Sequence, residues 1–371
     1  MSDTQSFRKA AWMETPLTAK LGVDLPIIQG PLGGFSTERL AALVSNFGGL
    51  GSYGAHGLSP EQITRVATEI RALTTKPFAM NLWVSMEDEG ARASGEREFQ
   101  RALATIAPML DEIGAPHPRY EPYTAASFEA QCRAVLDARV PVFSFIFGIP
   151  PREILEECHA KNIVTIGTAT TVDEAIAIEQ AGMDIVVVSG FEAGGHRGSF
   201  LRSAEESLTG TVALVSQAAR AVKIPVVAAG GIADARGIAA ALDLGAAGAQ
   251  MGTAFLACEE SGASAIHRAA LLSGNARTAL TKGFTGRLAR GIKNRLMDAV
   301  NAPGAEILPY PLQRLLVRDL VVPAGKTQRA DLMQLWAGQN ASSLKHSSAS
   351  ALLKDLVDGV TAILEPRTPA N

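Results

Sequence analysis

The order of apolar runs along this chain predicts an α/β protein: a parallel (β/α)8 (TIM) barrel with a long insertion after its third strand and a small, mostly helical C-terminal appendage. Three observations carry that expectation. Eight short apolar segments recur between residues 26 and 251, and most are followed by a helical pattern. These segments lack clean polar alternation, as strands covered on both faces do. With 371 residues, 47% hydrophobic and 19% charged, the chain can bury a large core and is not of disordered composition.

The elements follow in order. Residues 26–30 (Pro-Ile-Ile-Gln-Gly) form an apolar run ending in a turn residue, the first strand. Ser36 or Thr37 can cap the next helix, whose inner face is Leu40, Leu43, Val44 and Phe47. Residues 49–53 are the second strand. Ser59-Pro60-Glu61 opens a helix with a cap, a first-turn proline and an acid suited to the helix N-terminus. Residues 77–82 are the third strand. From 83 to 139 the rhythm breaks into charged helical stretches and a Pro-rich piece, an excursion of the kind that often serves as a lid. Strands are then expected at 141–147, 163–167, 185–189, 225–229 and 248–251, with helices near 151–160, 172–181, 205–222 and 235–244. The expected division is a barrel over 1–257, a helical domain over 258–335, and a segment over 336–371 whose final helix, near 348–364, packs back on the barrel.

Composition excludes several classes of function. A net charge of −3 offers no reason to expect nucleic acid or an anionic membrane as partner. The first 20 residues carry Asp3, Arg8, Lys9 and Glu14 without a long apolar core, unlike a signal peptide. No run approaches the roughly 20 apolar residues of a membrane helix. The three cysteines, Cys132, Cys158 and Cys258, are far apart and outside any CxxC arrangement, which argues against a disulfide framework or a thiolate zinc site. No His, Asp or Glu pair has ligand spacing, so no metal is expected. A cytoplasmic enzyme is the expectation, and a homodimer is one arrangement it admits.

In such barrels the active site lies at the carboxyl ends of the strands. That rule selects Gln29 and Gly30, Tyr53, Asn81 and Trp83, Phe147 and Gly148, Thr168, the stretch from Ser189 to His196, Gly230 and Gly231, and Gly252 and Thr253. The loops after the seventh and eighth strands, Gly230-Gly231 and Gln250-Met251-Gly252-Thr253, stand where this fold commonly cradles a phosphate with backbone N–H groups. The stretch Ser189-Gly190-Phe191-Glu192-Ala193-Gly194-Gly195-His196-Arg197-Gly198 carries a carboxylate, an imidazole and a guanidinium in a glycine-rich loop. It reads either as an ordinary turn or as a site, and its place after the sixth strand, beside the phosphate loops, favours the site. Glu192 can orient His196 or pair with Arg197, and Arg197 can meet an anionic substrate or stay solvated. His56 is a weaker rim candidate; His117, His159, His267 and His346 fall on segments expected to be surface or core. Residues 49–54 match G-x-G-x-x-G, but those glycines lie within a strand, whereas a dinucleotide fingerprint needs them between strand and helix.

Four stretches taken together carry a family resemblance: 26–34, 78–83, 192–198, and 225–234 with 250–253. The chain resembles the nitronate monooxygenases, formerly 2-nitropropane dioxygenases, which are FMN-dependent (β/α)8 enzymes. The resemblance implies FMN contacts from Gly30, Pro31, Leu32, Asn81, Gly194, Gly231 and the Gln250, Met251, Gly252 and Thr253 loop, and it makes His196 the catalytic base. It also places Ser189 at the flavin ring, where the family often has Gln. The implied reaction is oxidation of alkyl nitronates, and by extension neutral nitroalkanes, by O2 to a carbonyl compound and nitrite. Two other readings stand beside it. One is an NAD(P)H-dependent FMN reductase of the same family, acting on enoyl-acyl carrier protein or quinone. The other is a barrel that binds a phosphate ligand without catalysis.

Overall fold

The computed structural model describes residues 10–88, 90–121 and 127–365. In chain order the described elements are α1 (Pro16–Leu21), β1 (Ile27–Gln29), α2 (Glu38–Phe47), β2 (Gly51–Gly54), α3 (Pro60–Leu73), β3 (Phe78–Trp83), α4 (Glu96–Glu112), α5 (Phe128–Asp137), β4 (Val142–Ile146), α6 (Arg152–Ala160), β5 (Val164–Ala169), α7 (Val172–Gln180), β6 (Ile185–Ser189) and β7 (Gly195–His196). They continue with α8 (Thr211–Ala221), β8 (Val226–Ala229), α9 (Ala235–Asp243), β9 (Gly248–Met251), α10 (Thr253–Leu256), α11 (Ala265–Leu271), β10 (Thr278–Thr281), β11 (Ala289–Ile292), α12 (Arg295–Val300), α13 (Leu312–Lys326) and α14 (Ala349–Leu364).

Each of the eight expected barrel strands is present. They form one parallel sheet in the order β1-β9-β8-β6-β5-β4-β3-β2. It closes where Ile28 bridges Leu50, with Gln29 N donating to Leu50 O at 2.9 Å and Leu50 N to Ile27 O at 2.9 Å. The chain therefore folds as a (β/α)8 barrel. Its interior is filled by Ile28, Leu50, Ala79, Val142, Ile166, Val187 and Val227, and Leu17 and Leu21 of α1 join this cluster. A Cβ on Gly248 would lie 2.4 Å from the Leu17 side chain, so the plug helix and the small residue at that strand require each other.

Local chemistry explains the element starts. Thr37 accepts from Leu40 N at 3.0 Å, Ser59 and Gln62 form a capping box ahead of Pro60, and Asp234 accepts from Gly237 N at 2.9 Å. The helix expected over 205–222 is corrected: residues 205–207 make a separate 3-10 turn and α8 begins at Thr211. Gly210 has no side chain to cap it, and the Glu192 carboxylate from the β6 loop serves instead, accepting from Thr211 N at 2.9 Å and from its hydroxyl at 2.9 Å. The glycines of the 49–54 pattern pack tightly, since a Cβ on Gly51 would lie 1.9 Å from Ala41 O.

Two features went beyond the sequence pattern. The histidine-bearing stretch, expected as a loop, contains β7, which pairs antiparallel with β11, with His196 opposite Ala289. With β10 it makes a three-stranded sheet, so the C-terminal appendage adds a small sheet to its helices. Within the 83–139 excursion, α5 packs on α3 as the barrel's own helix, while Phe99, Leu103, Ile106 and Leu110 of α4 share a core with Leu296, Leu316 and Leu320 of the appendage. The Pro-rich piece of this excursion, residues 115–123, forms no helix or strand over 115–121, and its last two residues lie outside the described residues.

Candidate active site

His196 stands at the carboxyl end of the barrel, carried on β7 rather than on a barrel strand. Its Nε2 lies 2.9 Å from Thr285 Oγ1, and the Thr285 hydroxyl also reaches Arg287 O at 3.3 Å. Four aromatic rings surround it: Trp83 at 5.1 Å between ring centres, Trp336 at 5.3 Å, and Phe147 and Tyr310 at 6.2 Å each. Arg287 closes the wall, its guanidinium carbon 4.3 Å from the Phe147 ring centre and 4.5 Å from that of Tyr310. It is held there by Asp88 at 2.7 Å and by Ser85 O and Oγ at 3.0 and 3.1 Å. Burial, with positive charge from Arg287 and a second imidazole at His56 adding to it, pulls His196 down to about 3. The ring is therefore neutral near neutral pH.

His56, a rim candidate in the sequence, lies inside this wall. It stacks on Trp83 at 4.0 Å with the planes 11° apart, and burial first, then Arg314 and Arg287, lowers it to about 3. Phe147 adopts φ of 63°, a left-handed conformation unusual for an aromatic residue, at the end of β4 where its ring meets both Trp83 and His196.

The glycine loops lie around the same barrel end. Gly230 and Gly231 have φ of 107° and 71°, conformations that favour glycine. The amides of Gly231 and Gly252 meet no acceptor among the described residues. Gly30 N donates to Met251 O at 2.8 Å, which brings the ends of β1 and β9 together, while the Met251 side chain itself is fully buried. Pro31 and Leu32 belong to a turn pinned by Ser36, whose hydroxyl accepts from Leu32 N at 3.1 Å and Gly54 N at 2.9 Å. Asn81 is buried and donates to Ser144 Oγ at 3.0 Å. Ser189 ends β6 half-buried, and its hydroxyl makes no hydrogen bond to the described residues.

The segment after the appendage ties these loops down. Gly338 N donates to Thr253 Oγ1 at 2.9 Å, Gln339 N to Glu192 O at 2.8 Å, and Asn340 Nδ2 to Gly231 O at 3.2 Å. Gly194 lies so close that a Cβ there would be 2.5 Å from Gly338 N. His267, buried, donates from Nε2 to Trp336 O at 2.9 Å and so holds that indole against His196. A cavity of about 360 Å³ lies on the far side of the Gly230-Gly231 loop, between α8 and α9 and away from the imidazole.

Two sequence readings are corrected. Glu192 neither orients His196 nor ion-pairs with Arg197, because its carboxylate caps α8. Arg197 is neither solvated nor open to a substrate. It is 6% exposed, and its guanidinium donates to the carbonyls of Ser189, Thr170 and Ser207. Thr285, Arg287 and Tyr310 were invisible as site residues in the sequence, since the barrel rule says nothing about an appendage. The only signal was the aromatic and basic content of a stretch outside the βα rhythm.

The chain is similar to known proteins along nearly its whole length. The family model for nitronate monooxygenase matches residues 14–359. A probable nitronate monooxygenase of Staphylococcus haemolyticus is 40% identical over 356 residues, covering 95% of this chain and 99% of the relative. One from Staphylococcus aureus strain Newman is 36% identical with the same coverage. Among solved structures, nitroalkane oxidase from Streptomyces ansochromogenes superposes with a TM-score of 0.84 at 36% identity, covering 94% of this chain and 98% of that one. FabK from Thermotoga maritima gives 0.73 at 25% identity, covering 95% and 97%. With a family match across nearly its whole length, the chain belongs to the nitronate monooxygenase family of oxidoreductases.

Proposed function

We propose that this protein binds FMN and oxidises alkyl nitronates, and neutral nitroalkanes, with O2 to a carbonyl compound and nitrite, His196 being the base. The observation that carries this reading is the neutral, aromatic-walled imidazole of His196 at the same barrel end as an open glycine cradle.

The residues present suit FMN. Two adjacent left-handed glycines and the acceptor-free amides of Gly231 and Gly252 are donors without side chains in the way, as a phosphate requires. Thr253 extends that donor set, and Gly30, Pro31, Leu32, Asn81, Ser189, Gly194, Gln250 and Met251 belong to the segments that would line the rest of the cofactor. When bound, the flavin supplies the electron transfer.

The protein's part is proton handling and orientation. With the Thr285 hydroxyl proton directed to Arg287 O, Nε2–H of His196 is the donor to Thr285 Oγ1, and Nδ1 keeps the lone pair. Nδ1 has no partner among the described residues, so it is the atom free to take a carbon-bound proton from a nitroalkane. The aromatic wall leaves an apolar lining for an alkyl chain.

The test is an absorbance spectrum of the purified protein followed by anaerobic titration with ethylnitronate and with NADPH. A flavin spectrum bleached by the nitronate supports the proposal. Bleaching by NADPH with no response to nitronate assigns the reductase reading instead, and a protein that retains no added FMN sinks both. His196→Asn should keep the yellow colour and lose turnover of nitroethane by about 10²–10⁴-fold; native turnover in that variant would remove His196 as the base.

A further inference from the structure

Two buried charged side chains near the base have no part in the chemistry above. Arg197 is 6% exposed and Glu174 is fully buried. Their surroundings follow from where His196 is mounted. Its strand, β7, pairs with β11 of the appendage, and Arg197 N continues that pairing to Leu288 O at 2.8 Å. The glycine loops, by contrast, belong to the barrel. The distance between base and cradle therefore depends on what fastens the segment after His196 to the barrel strands.

Arg197 and Glu174 do this from opposite sides of one residue. Arg197 donates to Thr170 O at 3.0 Å, to Ser207 O at 3.0 Å through Nε, and to Ser189 O at the end of β6. Glu174 Oε2 accepts from Thr170 N at 2.6 Å and Thr170 Oγ1 at 2.7 Å, while its Oε1 accepts from Phe200 N at 2.6 Å and Leu201 N at 3.1 Å. Thr170 directly follows β5 and is itself fully buried. A cation that takes carbonyls and an anion that takes amides thus grip residues 197–201 around a single barrel position, and each charge offsets the burial cost of the other.

Resting on the proposed function, we infer that Arg197 and Glu174 are positioning residues that set His196 against the reacting carbon of a neutral nitroalkane. In that step the C–H bond breaks, the proton goes to the imidazole, the C–H electron pair becomes the C=N bond, and the N=O π pair moves onto oxygen as the nitronate's negative charge. A nitronate formed beforehand skips it. Loss of position therefore penalises the neutral substrate selectively.

The experiment compares Arg197→Met, Arg197→Lys and Glu174→Gln with the native protein on nitroethane and on preformed ethylnitronate. Arg197→Met should lower kcat for nitroethane by about tenfold to a hundredfold, the scale of an ångström-sized misplacement. Its KM for nitroethane, FMN retention and ethylnitronate turnover should stay native, with Lys restoring part of the loss and Glu174→Gln moving the same way. Equal losses on both substrates, or none, overturn the inference. The Lys variant carries the comparison if the Met variant does not fold. Amide hydrogen exchange of residues 196–201 and the imidazole NMR signals of His196, both in cofactor-free protein, give a readout independent of activity. Faster exchange and a shifted His196 signal in the variants are expected, and native behaviour overturns the clamp. A wild-type protein inert to all nitro compounds would refute the function, and these two measurements would still decide the clamp.

Discussion

His56 shows how much of this site is governed by single side chains. The ring is buried, its Nδ1 has no hydrogen-bond partner among the described residues, and its pKa is held near 3 by burial and by Arg314 and Arg287. Its folded value thus lies below its unfolded one, so the unfolded chain binds the extra proton. The stability contributed is complete above an unfolded value of about 6.5 and is lost as pH falls from there toward 3. His56→Asn should melt below the native protein at neutral pH, because it loses the stack on Trp83. The gap between the two should narrow as pH falls from about 7 to about 4. Thermal melts across that range check this, and a constant gap would contradict the buried neutral imidazole. By contrast, the three cysteine thiols, all buried and raised to about 12, offer no comparable reactive group.

At the scale of elements, the β8–α9 turn has little freedom to vary. Gly231 combines φ of 71° with a Cβ position 3.2 Å from the Glu192 side chain. A valine there meets both a disfavoured backbone and the residue that caps α8. Gly231→Val should weaken FMN retention by at least about tenfold, corresponding to about 1.4 kcal/mol. Equilibrium dialysis of the variant measures this, and unchanged affinity would move the phosphate away from this turn. The strap from Trp336 to Asn340 is the other constrained element, because it reaches the loops after β6, β8 and β9 together.

For the whole molecule, the decisive feature is that one core runs through both α4 and the appendage. Ile106 is 1% exposed in the cluster that includes Leu316, Val317 and Leu320, and that cluster continues through Phe255 to α14. Ile106→Ala should cost about 2–5 kcal/mol as a cavity-forming change. Because the cluster is continuous, the loss should lower a single melting transition rather than split it. Calorimetry distinguishes the two, and a separate early transition would show that α4 and the appendage unfold as their own unit. Among the described residues, no helix is long and apolar enough to cross a membrane.

What the sequence determined by itself was the barrel and the half of the candidate site that rides on it. Eight short apolar runs, most followed by a helical pattern, favour a closed parallel sheet covered on both faces. The strand ends then place Gly30, Asn81, Gly231 and Thr253 with no knowledge of distant contacts. The 192–198 stretch announced itself by its unusual chemistry, but its neighbours could not be read. Whether Glu192 served His196, Arg197 or a helix end depended on a turn near residue 210, and whether Arg197 was solvated depended on carbonyls at 170, 189 and 207. Thr285, Arg287, Tyr310 and Trp336 come from 89 to 140 residues beyond His196, in a part of the chain with no regular rhythm to assign them a face. Local periodicity encodes which side of an element is buried; it carries no record of which distant element will cover that side. The tertiary structure alone decided that His196 sits on the appendage's sheet, inside an aromatic wall, at the barrel end that carries the glycine loops.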